Sequence, residues 1–304
     1  MKAEQGVAPA AKRSGQMALG ALFAGATAIA CAPIFVRLSQ VGPSATAFWR
    51  IALALPALWL WMMFERQRSG GPRRVFIGED YRRLSLAGIC FAGDLAVWHW
   101  SIHFTSVANA TLLANFAPLF VALGGWLLFG LRVGRTFLLA MGVALLGTVL
   151  MVGASLHLSL GHLWGDALGL ITAMFYAGYI LTVKSLREQF SVATIMTWGG
   201  IVTSSILFPL ALLSDERILP LTARGWGILL GLALISQVSG QGLIAYALAH
   251  LPAAFSSVGL LLEPVMATVF AWLILGETLA PWQALGGALV LGGIIGARQE
   301  SRSQ

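Results

Sequence analysis

Apolar stretches of about 18 to 23 residues recur along the chain, separated by short polar breaks. At a rise of about 1.5 Å per residue, each is long enough to cross a hydrocarbon layer of about 30 Å as a helix. The pattern predicts spans over residues 17–36, 45–64, 84–103, 108–130, 136–153, 165–183, 192–213, 226–249, 253–275 and 282–297. The third and fourth meet around Thr105 and Ser106, and the eighth and ninth around Leu251 and Pro252, which predicts two tight helical hairpins. The expected class is an all-α membrane protein with ten transmembrane helices, since runs of this length satisfy every backbone group within the segment when helical.

Composition strengthens this reading. The 304 residues are 58% hydrophobic and only 10% charged, with a mean hydropathy of +0.82, more apolar surface than a soluble domain can hide. The polar breaks leave little chain for a globular extramembrane domain, so binding or chemistry is expected inside the bundle. The first 16 residues are small and polar, and no small-x-small cleavage site follows the apolar run from Met17, so that run reads as a span rather than a cleaved signal. Cys31 and Cys90 both fall in apolar stretches without ligand spacing, and two free, buried thiols are expected.

The net charge of +7 reflects topology rather than nucleic acid, since no basic patch accompanies RNA-stacking aromatics or a DNA-reading helix. With the N-terminus in the cytoplasm, the inner segments hold Lys2, Lys12, Arg13, Arg66, Arg68, Arg73, Arg74, Arg82, Arg83, Arg132, Arg135, Lys184, Arg187, Arg298 and Arg302. The outer side holds Arg37, Arg217 and Arg224, while Arg50 lies inside the second span. A miscount by one span would scramble this separation, so the asymmetry predicts both termini on the cytoplasmic side of a bacterial inner membrane.

The chain also repeats itself. Residues 100–130, WSIHFTSVANATLLANFAPLFVALGGWLLFG, align without a gap to residues 246–276, YALAHLPAAFSSVGLLLEPVMATVFAWLILG, matching Pro118 with Pro264 and Gly130 with Gly276. Five spans precede the second copy's half, an odd number, so that half enters the membrane from the opposite side and the halves are expected to be inverted repeats. The resulting division is an N-terminal tail (1–16), a first five-helix repeat (17–153), an external linker (154–164), a second repeat (165–297) and a C-terminal tail (298–304). Inverted halves can exchange conformations around a midplane site, the physical basis of alternating access.

Three segments, PIFVRLSQVGPSATAFWR, ANATLLANFAPLFVALGGWLLFG and SSVGLLLEPVMATVFAWLILGETLAPWQALGGALVLGGIIG, resemble the drug/metabolite transporter superfamily, in particular its ten-helix proteins with two EamA-type halves. The resemblance runs from about residue 17 to 297. It implies an exporter or exchanger of small metabolites around a central cavity, and within the family the chain is most similar to bacterial aromatic amino acid exporters of the YddG type. It further implies that the fourth, fifth, ninth and tenth helices support the fold. Glu277 follows Gly276 where Leu131 follows Gly130, so that glutamate is not read as a gating element shared by both halves.

Ionisable and polar residues at membrane depth are the candidate site, because their desolvation is costly and they face a bundle interior or aqueous cavity. Asp94 lies near the middle of the third span and shares a face with Val97, Trp98 and Ser101, while His99 and His103 share another, His103 at the interface. Gln237 and Gln241 are one helical turn apart, and the repeat offset puts Asp94 opposite Gly240, at their depth. A carboxylate facing two amides would suit a bound ammonium and carboxylate; interhelical hydrogen bonding is the alternative. Trp98, Tyr176, Tyr179 and Trp198 lie inside predicted spans and offer stacking walls for an apolar or aromatic substrate, or ordinary core packing. Arg50, Asn115 and Glu263 are candidates for gating or charge coupling, and Pro118 and Pro264 for helix kinks, whose freed carbonyls the neighbouring polar groups can also repair.

The sequence contains no P-loop, no H-E-x-x-H, no cysteine metal cluster and no nucleophile elbow. No catalytic residue, metal or cofactor is therefore expected. The reading is a secondary transporter that exports amino acids, aromatic ones included, with a small-molecule amino acid or related metabolite and membrane lipids as its partners. Carriers of cationic drugs, nucleobases or other small metabolites share nearly all of these features, and a membrane enzyme or scaffold protein is the remaining alternative. The Gly-rich fifth and tenth spans are compatible with a homodimer, although a monomer suffices.

Overall fold

The computed structural model describes residues 7–68, 76–105, 107–153, 163–276 and 278–303, and their regular structure is helical, with no strand. In order the helices are α1 (Val7–Ile29), α2 (Ala32–Leu38), α3 (Pro43–Ala52), α4 (Leu55–Arg68), α5 (Gly78–Phe104), α6 (Val107–Ala114), α7 (Ala117–Phe129) and α8 (Arg135–Gly153). There follow α9 (Leu163–Leu186), α10 (Val192–Leu213), α11 (Ala223–Gly231), a π-helical segment (Leu232–Gln241), α12 (Gly242–His250), α13 (Ala253–Gly259), α14 (Leu262–Leu275) and α15 (Pro281–Ser303). Both expected hairpins are present: α5 stops at Phe104 and α6 starts at Val107, while α12 stops at His250 and α13 starts at Ala253.

Several expected single spans are broken helix pairs, and proline explains where. Proline lacks an N–H and its ring clashes with the carbonyl four residues earlier. Just before Pro33, Pro56, Pro118 and Pro264 the ladder tightens into i→i−3 bonds, from Cys31 N to Ala28 O (3.4 Å), Ala54 N to Ile51 O (3.0 Å), Phe116 N to Leu113 O (3.1 Å) and Leu261 N to Val258 O (3.1 Å). The kinks expected at Pro118 and Pro264 thus have equivalents at Pro33 and Pro56. Pro209 sits inside the unbroken α10. In the π segment the Ser239 hydroxyl donates to Leu234 O, five residues back, at 2.9 Å, following the wider register.

Eight stretches are long and apolar enough to cross a membrane: 14–38, 43–68, 109–129, 135–152, 163–186, 192–213, 223–250 and 253–274. The sequence pattern counts ten; α5 and α15 have 27 and 23 residues but are more polar, α5 carrying Asp94 and a charged first turn, and α15 ending in Arg298, Glu300 and Arg302. The bundle is apolar outward, with Leu128 and Leu139 each 72% exposed and Leu213 79% exposed. Such a surface is tolerable only in lipid, and the chain is a multi-pass membrane protein.

Helices α8 and α15 pack on each other, α5 on α9 and α10, α1 on α12 and the π segment, and α10 on α3 and α4. Small residues allow backbone-to-backbone approach at these seams. A β-carbon on Gly147 would lie 2.5 Å from Gly286 O, and one on Gly286 would lie 2.6 Å from Gly147 O. Gly88 and Gly199 meet similarly between α5 and α10, and Gly25 and Gly240 between α1 and the π segment. Gly130 and Gly276, paired by the repeat, both end their helices in the left-handed region, at φ 68° and 69°, where a side chain is strained.

Candidate functional site

Arg50 lies in the last turn of α3, directly before the Pro56 break. Its Nε donates to Gln237 Oε1 at 3.0 Å, and its guanidinium sits over the Phe91 ring at 5.9 Å, within cation–π range. Asp94 on α5 and Glu263 on α14 both lie within electrostatic reach of Arg50, as do Tyr176 and Tyr179 on α9. Glu263 stands in the first turn of α14, immediately after the helix break, at the positive end of the helix dipole, which favours an anion. One basic and two acidic side chains thus share the bundle interior, where their mutual attraction offsets part of the cost of their burial.

Aromatic rings and amides complete the cluster. Phe91 stacks on Tyr179 with centroids 4.8 Å apart, and Tyr179 on Tyr176 at 6.1 Å. Gln237 and Gln241 are 4% and 2% exposed. The Gln241 side chain hydrogen-bonds the Tyr176 hydroxyl, while its Oε1 is buried without a partner. A cavity of about 10 Å³ lies between Phe91, Tyr179, Thr203 and Gln237, room for about one water.

The remaining predicted residues lie elsewhere or play other parts. Trp98 is half-buried, one turn beyond Asp94 on α5. Trp198 does not join the cluster: it packs against Tyr81 (5.2 Å) and Phe76 (6.3 Å), although Ile195, Met196 and Gly199 of the same helix line the small cavity. The Asn115 amide donates to Thr111 O of α6 at 2.9 Å, a carbonyl that also accepts from Asn115 N at 3.1 Å. Glu263, on a helix that family resemblance assigns to the supporting side, faces the charged cluster instead. The side chains of His99 and His103, and Glu277, lie outside the described residues. Cys31 and Cys90 are free and half-buried. Among the described residues no cluster of histidine, cysteine, aspartate and glutamate could hold a metal.

Two features escaped the sequence. Phe91 is one of many apolar residues in its run, distinguished only by lying one turn before Asp94. The second is a tie between distant loops, in which Glu216 accepts hydrogen bonds from Ser44 N (2.9 Å), Ala45 N (3.4 Å) and Ser44 Oγ (3.3 Å). This carboxylate caps the start of α3 from the loop after α10. Trp49 Nε1 also donates to Ile218 O at 2.8 Å, and Trp49 meets Trp226 edge-on at 5.0 Å.

Comparison with known proteins agrees with this architecture. A solved crystal structure superposes with a TM-score of 0.74 at 15% identity, covering 94% of this chain and 98% of its own, a likeness of fold alone. The pseudopaline exporter CntI of Pseudomonas aeruginosa (strain PAO1) is 26% identical over 208 residues, 68% of this chain and 72% of the relative. The threonine/homoserine exporter RhtA of Escherichia coli (strain K12) is 28% identical over 234 residues, 75% of this chain and 76% of the relative. The EamA-like transporter family matches twice in tandem, at residues 16–153 and 163–298. With nearly the whole chain accounted for by those two matches, the protein belongs to the EamA-like transporter family.

Proposed function

We propose that this protein is a secondary transporter that exports amino acids, aromatic ones included, across the bacterial inner membrane by alternating access. The observation that carries the reading is the cluster of half-buried Arg50, Asp94 and Glu263 with buried Gln237 and Gln241, which offers basic, acidic and amide groups beside the stacked rings of Phe91, Tyr176 and Tyr179. A free α-amino acid carries both charges at neutral pH, and its side chain needs an apolar or aromatic wall. The relatives named for export of amino acids or related metabolites support the substrate class.

Ten spans in two inverted halves are part of the proposal. The helix pairings support it: with α1–α2 matched to α9, α3–α4 to α10, α5 to the α11–α12 stretch, α6–α7 to α13–α14 and α8 to α15, exchange of halves turns α5 on α9 into α12 on α1. The same exchange leaves α8 on α15 and α10 on α3–α4 unchanged. The excess of Lys and Arg in alternate breaks supports cytoplasmic termini. Substrate enters from the cytoplasm, the halves rearrange around it and the site opens outward.

The test is flux of labelled phenylalanine into proteoliposomes containing only this protein, against empty liposomes, with unlabelled amino acids, cationic drugs and nucleobases as competitors. Saturable flux competed by amino acids is the expected result. Flux competed only by drugs or nucleobases would reassign the substrate, and no solute flux under any imposed gradient would overturn the transporter reading.

A further inference from the structure

Resting on the amino acid export reading, we propose that Arg50 and Gln241 form the two ends of a zwitterion cradle, and that Gln237 is a placeholder which the substrate's α-carboxylate displaces. The Arg50 guanidinium has five N–H donors in a planar fork suited to a carboxylate. Among the described residues its side-chain hydrogen bond is the single one from Nε to Gln237 Oε1, at 3.0 Å. A neutral amide oxygen is a weaker acceptor for a guanidinium than a carboxylate, which can accept two parallel bonds. Gln237 therefore holds the arginine in position against Phe91 without saturating it, and can yield to a better acceptor.

The opposite end of the cradle rests on an independent observation. Gln241 is 2% exposed, its side chain is engaged with Tyr176, and its Oε1 is buried without a donor. An unsatisfied acceptor at this depth is costly and points to a donor that arrives with the ligand. An α-ammonium supplies such N–H donors, and the acidic side chains of Asp94 and Glu263 are within electrostatic reach of Tyr176 beside it. Because Gln237 and Gln241 are one turn apart on the same segment, the carboxylate and the ammonium of one α-carbon fall side by side along it. The π-helical backbone of residues 232–241, a local departure from the α ladder, is the element that presents both amides.

The cradle makes the α-amino acid head group, rather than the side chain, the main determinant of recognition. The experiment measures competition against labelled phenylalanine flux by phenethylamine, which lacks the carboxylate, and by 3-phenylpropionate, which lacks the ammonium. In the unaltered protein both should compete at least about tenfold more weakly than phenylalanine, as expected for loss of a hydrogen bond to a charged group. Gln237→Glu places a permanent carboxylate on Arg50 and should weaken phenylalanine by about tenfold or more while erasing the disadvantage of phenethylamine. Gln241→Leu should selectively erase the disadvantage of 3-phenylpropionate. Should either variant fail to fold, the two competition constants of the unaltered protein still decide the matter. Saturable phenylalanine flux to which both analogues bind as well as phenylalanine overturns the cradle and leaves the export reading standing. Absence of saturable flux for every α-amino acid tried overturns both.

Discussion

Replacing Gly147 by alanine tests whether α8 and α15 form a fixed seam of the bundle. The added methyl would sit 2.5 Å from Gly286 O, 2.7 Å from Val290 N and 2.9 Å from Leu289 Cβ. A carbon–oxygen contact closes at roughly 3.3 Å, so the helices must separate locally by about 0.8 Å. Two of the three opposing atoms belong to backbone and cannot rotate away. Overpacking of this kind costs about 1–3 kcal/mol. Alanine's higher helix propensity returns about 1 kcal/mol, so the net loss is up to about 2 kcal/mol. Gly142, on the same helix, has no neighbouring atom within 4 Å of the place its methyl would take, and Gly142→Ala keeps the propensity gain without the clash. Apparent melting temperatures of the detergent-solubilised variants, read by size-exclusion with tryptophan fluorescence, should fall by several degrees for Gly147→Ala and stay level or rise for Gly142→Ala. Equal melting of the two would refute the claim that backbone contact limits this seam.

Three further outcomes are expected. Arg50→Leu removes the hydrogen bond to Gln237 and the cation within electrostatic reach of Asp94 and Glu263, a loss of about 1.5–3 kcal/mol for a hydrogen bond to a charged group; Asp94→Asn in the same chain should recover part of the melting temperature, and no recovery would contradict the coupling. Glu216→Ala removes the cap on α3, worth about 1 kcal/mol, and should raise hydrogen exchange at residues 42–46 and 215–218 while sparing the helix centres; unchanged exchange there would show that the tie does not hold these loops. Arg83 first, and then Arg82, hydrogen-bond Glu79 and hold its carboxyl below the ordinary value. Any stability from that exposed group is present above the ordinary carboxylate range and lost as pH falls through the depressed value. A melting difference between Glu79→Gln and the unaltered protein that grows on acidification would contradict this sign.

Membrane insertion, helix order and the positions of the helix breaks follow from local properties of the chain. Apolar run length sets whether a stretch can span, and each of Pro33, Pro56, Pro118 and Pro264 interrupts its own helix through a missing donor and a nearby clash. The repeat of Pro118 and Gly130 as Pro264 and Gly276 was likewise visible from residue order. Which polar residues meet is a different kind of information. Arg50 and Gln237 are 187 positions apart, and their contact depends on how α3 and the π segment are brought together. Trp198 and Tyr179 looked equivalent as buried aromatics, yet helix packing sends one to Tyr81 and the other to Phe91. The π register that presents Gln237 and Gln241 leaves no mark in apolar periodicity. Desolvation penalises every charge at membrane depth alike, so sequence marks Arg50, Asp94 and Glu263 as costly, and only tertiary packing decides that they offset one another in one place.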